Sequence, residues 1–312
     1  MTADTNTTER LASALIDKIR SFRRVVVAFS GGVDSSVVAA AAARAELPFC
    51  IAVTARSPSV PAWQIDIARQ VAAEIGIAHQ FVATGEGKRE EYVRNDTQRC
   101  FYCKETLYET LATVAAADQV PINHDAVNHD AAKDVALNHD FASHDAVILS
   151  GTNRDDLGDH RPGIRAGRLA RVQTPLADLG LTKQQVRELA QYFGLRNHAL
   201  PASPCLASRI AYGVNVTPER LRMVEAAEDW LREQGFSDCR VRMHHDQLAR
   251  VEVPLDEMSR LVGTELSHRM NDYFIELGFQ FVTLDIEGLR SGSLNRVLVS
   301  IDTPDAQRVV AK

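Results

Sequence analysis

The chain has 312 residues, of which 45% are hydrophobic and 24% are charged, and its formal net charge is −6. This length suggests about two domains, and the composition is typical of a globular protein. The negative charge argues against broad, non-specific binding to nucleic acid. Because no apolar run reaches the ~20 residues that span a membrane and the start MTADTNTTER has no secretory-signal pattern, we expect a cytoplasmic protein without a membrane partner.

The first half of the chain alternates short apolar strands with helices. The first eight residues read as a frayed tail. Strands are predicted over 25–29, 49–54, 79–84 and 146–150, and helices over 11–20, 37–45, 62–75 and 104–116. This alternation indicates an α/β domain over residues 1–200, with a parallel sheet covered by helices on both faces. Ligands bind such sheets beyond the carboxyl ends of the strands.

Residues 118–145 interrupt this pattern with a segment rich in His and Asp. Between Pro121 and Asp145 it reads NHDAV, NHDAA, KDVAL, NHDFA and SHDAV. Histidine is a frequent metal ligand, but a spacing of five residues matches neither one helix face nor strand alternation. We interpret the segment as a surface insertion of a composition that also suits disorder, with a metal site as the alternative.

A domain boundary is predicted within the stretch 198–212, which contains Pro201 and Pro204 and has little periodicity. Before it, Thr182 opens a helix with a capping-box pattern to Gln185. After it, residues 201–312 are predicted to form a smaller C-terminal α+β domain. That domain would serve substrate binding or oligomerisation.

The C-terminal domain is predicted to begin with a helix that Thr217 caps and that carries Pro218 in its first turn. The segments RVRMHH, ARVEVP and FQFVTLDI predict strands, with a helix over 265–277 before the last of them. Apolar and polar residues alternate in these strands, as expected of an antiparallel sheet with one buried face.

The segment SGGVDSS, between the first strand and the following helix, is the most informative. Its residues are Ser30, Gly31, Gly32, Val33, Asp34, Ser35 and Ser36. Such a turn directs backbone N–H groups to one point, with the helix dipole behind them, and its glycines let phosphate oxygens approach. The lysine of a Walker loop is missing, whereas Asp34 suits a Mg²⁺ ion that bridges phosphates. We therefore predict a phosphate-binding loop rather than a plain glycine turn.

GTNRDD follows the fourth strand, at the same rim of the predicted sheet. Asp155 and Asp156 are candidates to hold the Mg²⁺ that neutralises a departing pyrophosphate, with helix capping or solvation as the alternative. Arg161 or Arg165 could clamp a phosphate or lie on the surface. The candidate nucleotide-site residues outside SGGVDSS are Thr54, Gly151, Thr152, Asn153, Asp155 and Asp156.

The five cysteines, in a chain without a secretion signal, read better as thiols, metal ligands or buried residues than as disulfides. Cys50 lies in an apolar strand, and Cys239 has no evident partner. Cys100 and Cys103 form a lone CxxC, which could be a redox pair, half of a zinc site or two plain thiols. With Cys205 they would suit a [4Fe–4S] cluster with one iron left open.

Charged residues near Cys205 and in the C-terminal domain are further candidates. Arg209 near Cys205 would favour a nucleophilic thiolate. Arg240 and Arg242 share one strand face and could bind a substrate phosphate, with exposed arginines as an equal alternative. Three acidic residues could line a metal or substrate site, namely Glu225, Glu228 and Glu252.

SGGVDSS resembles the pyrophosphate loop of the PP-loop, or N-type, ATP pyrophosphatases. Four more segments, SGTNRDDLGDHRPG, PLADLGLTKQQVREL, PASPCLASRI and SGSLN, are similar to one branch of them. That branch is the LarE family, the sulfur-inserting enzymes of nickel-pincer nucleotide synthesis. The resemblance covers nearly the whole chain apart from the N-terminal tail and the insertion.

This resemblance implies an enzyme that uses ATP and Mg²⁺ and releases AMP and pyrophosphate. It would adenylylate the carboxylates of pyridinium-3,5-biscarboxylic acid mononucleotide, a small nucleotide substrate, and convert them to thiocarboxylates for the cofactor of lactate racemase. Asp34 and Cys205 would be catalytic, and Arg209, Arg240 and Arg242 would join the nucleotide site. A homo-oligomer and a downstream nickel-inserting enzyme are also implied.

The resemblance implies two alternative sources of sulfur. In one, Cys100, Cys103 and Cys205 hold a [4Fe–4S] cluster whose open iron carries a sulfide. In the other, Cys205 donates its own sulfur and is left as dehydroalanine.

Three rival functions stay open. A tRNA-thiolating enzyme with the same loop would be expected to carry a basic or RNA-binding appendage, which the chain lacks. An ammonia-dependent amide ligase would have no use for three cysteines. A nucleotide-binding regulator with a dead loop would not need Asp34, Asp155 and Asp156.

Overall fold

The computed structural model describes residues 2–116, 146–158, 162–201 and 204–290. The insertion 118–145, Arg161 and the segment SGSLN lie outside these ranges. The chain divides into two compact units, one of residues 1–92 with 97–204, the other of residues 93–96 with 205–312. Within the described ranges, no helix is long and apolar enough to cross a membrane.

The first unit contains a four-stranded parallel sheet with the strand order β3-β2-β1-β4. Its strands are β1 Arg24–Ala28, β2 Phe49–Arg56, β3 Ala78–Ala83 and β4 Val147–Leu149. Its longer helices are α1 Thr2–Arg20, α2 Val33–Arg44, α3 Ala62–Ile75, α5 Arg99–Ala115, α6 Pro162–Leu169 and α8 Lys183–Tyr192. Its short helices are α4 Glu90–Val93, whose last residue belongs to the second unit, and α7 Pro175–Asp178.

The strand β1 is buried on both faces of the sheet. On β1, Val25 and Val27 belong to a core formed with helices α1, α2 and α8, while Val26 belongs to a second core with Leu111 of α5. A strand that is covered on both faces has no position for a polar side chain, which explains the continuous apolar runs in the sequence. The predicted α/β class with a parallel sheet is confirmed.

Three helices begin earlier than the sequence predicted. The predicted frayed tail is wrong, because α1 already begins at Thr2. Helix α2 begins at Val33 rather than at residue 37, and α5 begins at Arg99 rather than at residue 104. Asp34 favours a first turn, where an acidic side chain interacts well with the helix dipole, although it is a poor former of a helix interior.

The second unit contains a three-stranded sheet with the order β5-β6-β7. β5 and β6 are antiparallel as predicted, but β6 and β7 are parallel, so the expectation of a purely antiparallel sheet is wrong. A helix between β6 and β7 returns the chain in the same direction. The elements are α9 Pro218–Glu233, β5 Arg240–Met243, β6 Leu248–Glu252, α10 Glu265–Glu276 and β7 Phe281–Leu284.

Residues 93–96 join the second unit through Asn95, which is fully buried and has a positive φ of 57°. Its Nδ2 donates to the carbonyl oxygens of Ile210, Ala211 and Val214, at 3.3, 2.8 and 2.9 Å. Asparagine tolerates this left-handed conformation better than most residues. This amide therefore fastens the turn that follows Cys205.

Candidate active site

The loop Ser30–Ser36 joins β1 to α2 at the carboxyl end of the parallel sheet. Gly31 has a φ of +72°, and a Cβ there would lie 2.8 Å from backbone atoms of Ala68, so both its conformation and its contact with α3 require glycine. Gly32 is the N-cap of α2, and no side chain caps the helix. Its first-turn N–H groups, with the helix dipole behind them, are suited to bind an anion.

Serine side chains hold this loop in shape. Ser35 Oγ accepts from Ser30 N at 3.2 Å and donates to Gly32 O at 3.0 Å, and Gly32 N donates to Ser30 Oγ at 3.3 Å. Ser30 is exposed, whereas Ser36 is fully buried and its hydroxyl lies 2.8 Å from Asn197 Nδ2. Ser30 is thus open to a ligand, and Ser36 supports the loop from inside.

Asp34, in the first turn of α2, has two partners from distant parts of the chain. Its Oδ1 accepts from Asn153 Nδ2 at 3.1 Å, and its Oδ2 lies 2.5 Å from Lys183 Nζ. Both side chains of the ion pair are partly exposed, at 35% for Lys183 and 25% for Asp34. A cation and a carboxylate therefore lie together beside the half-buried N-terminus of α2.

Lys183 is a residue that the sequence reasoning missed. It is the first residue of α8, directly after Thr182, which forms the predicted capping box with Gln185. Its backbone N–H also donates to Asp155 Oδ2 at 2.8 Å. The capping signal at Thr182 locates the start of α8, but only the folded sheet brings that start to Asp34.

The segment Ser150–Asp156 packs directly against the loop. A Cβ on Gly151 would lie 2.7 Å from Ser35 N, so this glycine permits the close approach. Ser150 Oγ and Thr152 Oγ1 lie 3.1 Å apart. The structure thus brings the predicted residues of this segment and of Ser30–Ser36 together at one rim.

The side chains of Asn153 and Asp156 also hold their own turn. Asn153 Oδ1 accepts from the N–H groups of Asp155 and Asp156 at 2.9 and 3.3 Å, and Asp156 Oδ2 accepts from Asn153 N at 3.1 Å. These bonds correspond to the capping role that was the alternative prediction for the aspartates. Their role in binding Mg²⁺ stays a prediction.

Thr54 lies near the end of β2 and is buried. Its Oγ1 is 2.8 Å from His79 Nε2 on β3, and the His79 ring meets the edges of Phe29 and Phe81. The hydroxyl thus already has a protein partner, and its predicted contact with the nucleotide stays a prediction.

The cysteines differ in exposure. Cys100 is exposed and Cys103 is half-buried, and both lie in the first two turns of α5. Residues three apart on a helix share a face, so both thiols are offered on one side. Arg99 Nη2 lies 3.7 Å from Cys100 Sγ, and the Arg165 guanidinium packs 4.4 Å from the Phe101 ring. The pair is therefore accessible and close to a cationic side chain.

Cys50 and Cys239 are a different kind of thiol. Burial raises the pKa of Cys50 to about 11. Burial, and next the carboxylate of Glu228, raise the pKa of Cys239 to about 12. A thiol with such a pKa carries almost no thiolate near neutral pH, which agrees with their interpretation as structural residues.

In the second unit, two buried arginines hold the turn that begins at Cys205. Arg209, 1% exposed, pairs with fully buried Glu228 at 2.9 Å, and its Nη1 donates to Cys205 O at 3.2 Å. Arg242 pairs with buried Glu252 at 3.1 Å and donates to Ser208 O at 2.9 Å. Both guanidinium groups thus have carboxylate partners.

Arg240 differs from Arg209 and Arg242. Its Nη1 donates to Cys239 O at 2.7 Å, and it forms no ion pair with a carboxylate of the described residues. Burial, and next the neighbouring Arg209, lower the pKa of Arg240. An anion would relieve this repulsion, so Arg240 is the arginine of the three best suited to bind a phosphate.

No group of three or more His, Cys, Asp or Glu side chains within the described ranges is arranged to hold a metal ion. A Mg²⁺ site does not need one, because Mg²⁺ in nucleotide sites commonly takes one or two carboxylates and completes its shell with phosphates and water. The Asp34 carboxylate beside the loop fits that requirement.

A family model and several known proteins are similar to this chain. A family model described as asparagine synthase matches residues 6–122, which include the loop. An uncharacterized protein of Synechocystis is 38% identical over 88% of this chain and 93% of its own length. An uncharacterized protein of Methanocaldococcus jannaschii is 25% identical over 90% of this chain and 96% of its own length.

A third relative has a named activity. The pyridinium-3,5-bisthiocarboxylic acid mononucleotide synthase of Lactiplantibacillus plantarum is 32% identical over 92% of this chain and 94% of its own length. Identity at this level over both whole chains extends well beyond the nucleotide loop. The chain therefore belongs to the LarE family of PP-loop, ATP-using proteins.

Proposed function

We propose that this chain is a sulfurtransferase that adenylylates the carboxylates of pyridinium-3,5-biscarboxylic acid mononucleotide and converts them to thiocarboxylates. The observation that carries the proposal is the uncapped N-terminus of α2 at Gly32, with the Asp34–Lys183 pair beside it. The identity to the Lactiplantibacillus plantarum synthase supports the choice of substrate.

In the first step, the N–H groups of the loop and Lys183 Nζ hold the β- and γ-phosphates of ATP. A carboxylate oxygen of the substrate attacks the α-phosphorus, an oxygen–phosphorus bond forms, and the bond to the β-phosphate oxygen breaks. Asp34 would hold Mg²⁺, which when bound supplies positive charge to the pyrophosphate. The products are an acyl-adenylate and pyrophosphate.

In the second step, sulfur displaces AMP from the acyl-adenylate. AMP is a far better leaving group than the oxygen of a free carboxylate, which is why activation precedes sulfur transfer. We assign Arg240 to the substrate site, where it would bind the phosphate of the mononucleotide. Arg209 and Arg242 act there by holding the Cys205 turn as well as by their charge.

For the sulfur source we propose a [4Fe–4S] cluster held by Cys100, Cys103 and Cys205. Two accessible thiols on one face of α5 are a suitable donor set for one side of a cluster. When bound, a cluster would supply sulfide and spare the protein's own sulfur. In the alternative, Cys205 Sγ displaces AMP to form a thioester. A base then removes the Cα proton of Cys205, the Cβ–S bond breaks with its electron pair on sulfur, and the products are the thiocarboxylate and dehydroalanine at position 205.

An ammonia-dependent amide ligase is a second candidate, because the matching family model is that of asparagine synthase. That match covers only residues 6–122, which include the loop Ser30–Ser36, whereas the named relative matches 92% of the chain. The two reactions share the acyl-adenylate and differ in the nucleophile. Product analysis with sulfide or ammonia as the donor distinguishes them.

The decisive test is the nucleotide product. Purified protein with Mg²⁺–ATP and the biscarboxylate is expected to release AMP and pyrophosphate, and Asp34→Asn is expected to slow this at least tenfold. The control is Asp66→Asn on α3, where the carboxylate is exposed and pairs with Arg69. Formation of ADP, or no ATP affinity, would refute the proposal.

The sulfur source has its own test. Protein prepared without oxygen is expected to contain iron and sulfide, and Cys100→Ala is expected to lose both. An iron content at background level in the wild-type protein would refute the cluster hypothesis. Loss of H₂S from Cys205 during the reaction would favour the alternative.

A homo-oligomer, a cytoplasmic location and a downstream nickel-inserting enzyme complete the proposal. The homo-oligomer and the downstream enzyme are inferred from the family alone, and the cytoplasmic location from the sequence.

A further inference from the structure

Asn197, on the 3₁₀ turn Arg196–Ala199, forms hydrogen bonds to the buried side of the loop Ser30–Ser36. It is 2% exposed, and its Nδ2 donates to Gly31 O at 2.7 Å and to Ser36 Oγ at 2.8 Å. A carbonyl oxygen can only accept, so the nitrogen of the amide, and not its oxygen, must face Gly31. Both hydrogens of the amide are therefore committed to the loop.

The bond to Gly31 O determines where the next N–H points. The peptide bonds of the described residues are all trans, and in a trans peptide the C=O and the N–H point in opposite directions. When Asn197 holds the Gly31 carbonyl on the buried side, the Gly32 N–H is turned to the opposite side. There it donates to Ser30 Oγ at 3.3 Å, a long bond that a phosphate oxygen could replace.

The adjacent carbonyls are also held. Ser30 O accepts from Gln64 Nε2 at 3.2 Å in a solvent-exposed bond, and Gly32 O accepts from Ser35 Oγ and from Ser36 N, both at 3.0 Å. Three consecutive carbonyls are thus bound by protein donors, which fixes the orientation of the peptide groups to which they belong. Among these anchors, Asn197 is the buried side chain that comes from outside the loop.

Asn197 carries a cost that a purely structural residue would avoid. Its Oδ1 is buried and has no hydrogen-bond partner among the residues that the structure describes. A buried acceptor without a partner is destabilising, and an apolar side chain of similar size would not carry that penalty. The amide is therefore better explained by the orientation it imposes on the loop than by a gain in stability.

We propose that Asn197 is a positioning residue for the nucleotide, because it locks the Gly31–Gly32 peptide with its N–H towards the pyrophosphate group of ATP. The inference rests on the proposed function, which places the β- and γ-phosphates at this loop. The residue that would orient the loop thus lies 165 positions after Gly32 in the sequence.

The test is calorimetric titration with Mg²⁺–pyrophosphate and with Mg²⁺–ATP. Asn197→Ala and Asn197→Asp are each expected to raise Kd for both at pH 8 at least tenfold. The control is Asn95→Ala, which removes an equally buried amide that also anchors carbonyls, but in the second unit. It is expected to lower Tm and to leave both Kd values unchanged.

A pH series separates orientation from general destabilisation. In Asn197→Asp the introduced carboxyl is buried, which raises its pKa, and once protonated it can again donate to Gly31 O. The ratio of the variant's Kd to that of the wild type should therefore fall as the pH falls from 8 to 5.5. In Asn197→Ala this ratio should stay constant.

Three outcomes would overturn the inference. They are Kd values within twofold of wild type in both variants, a pH-independent ratio for Asn197→Asp, and failure of both variants to fold. If the wild type itself binds neither pyrophosphate nor ATP, the proposed function fails, and this result differs from each of the others.

Discussion

At the scale of single residues, the site is built from close contacts between segments that lie far apart in the sequence. Asp34 and Lys183 are 149 positions apart and form an ion pair at the mouth of the loop. From the sequence, the loop lacks the lysine of a Walker motif, in which the lysine is part of the loop itself. Here the cation comes from α8, and no local pattern could reveal it.

Lys183→Gln is expected to weaken Mg²⁺–ATP binding at least tenfold, because it removes the cation beside the phosphate-binding turn. Lys183→Arg keeps the charge and should recover part of the affinity. The control is Lys88→Gln, which changes an exposed lysine. Equal ATP affinity for Lys183→Gln and the wild type would show that Lys183 does not contact the phosphates.

Two glycines of one segment test the close approach at the loop. A Cβ on Gly151 would lie 2.7 Å from Ser35 N and 2.8 Å from Asp34 C, whereas a Cβ on Gly158 would meet nothing within 4 Å. Gly151→Ala should therefore displace the loop, destabilise the protein by about 1–3 kcal/mol and reduce ATP turnover at least tenfold. Gly158→Ala should change neither. Thermal unfolding and AMP release measure both effects.

At the scale of elements, the sequence predicted the type of most helices and strands but not the start of several. The apolar runs and the caps at Thr182 and Thr217 are local signals, and the structure confirms them. The start of α2 at Val33 was missed because SGGVDSS reads as a turn throughout, although a first turn accepts Asp and Ser well. The parallel pairing of β6 with β7 depends on the whole crossover, which no single segment encodes.

Substitutions at two helix caps can distinguish a loss of stability from a loss of ATP affinity. Thr182→Ala should cost about 1 kcal/mol, since it removes the capping box of α8, and it should also weaken ATP binding because Lys183 lies in the freed turn. Thr264 forms the same capping box on α10 in the second unit. Thr264→Ala should have a similar cost in stability while ATP affinity stays unchanged. Chemical denaturation and calorimetry provide the two measurements, and an equal loss of affinity in both variants would contradict the placement of Lys183.

At the scale of the whole molecule, the two units have different tasks in the proposed reaction. The first presents the nucleotide loop and two accessible thiols, and the second presents Cys205 on a turn held by two buried ion pairs. Removal of one partner from a buried pair typically costs about 3–5 kcal/mol, because a buried charge is left alone. Such a pair is costly to disturb, which suits a turn whose thiol must keep one orientation.

The five cysteines allow a test that covers both units at once. In metal-free protein at pH 8, iodoacetamide is expected to modify Cys100, Cys103 and Cys205, which are exposed or half-buried. Cys50, which is also half-buried, and buried Cys239 should resist, because pKa values of about 11 and about 12 leave almost no thiolate at that pH.

The direction of the pH dependence follows from these raised pKa values. Reaction of Cys50 and Cys239 should become measurable only as the pH rises above about 10, or when the protein unfolds and their pKa returns to the ordinary value. Mass spectrometry of proteolytic peptides identifies the modified positions. Rapid alkylation of Cys239 at pH 8 in folded protein would contradict its burial, and protection of Cys205 under the same conditions would remove it as an accessible sulfur nucleophile.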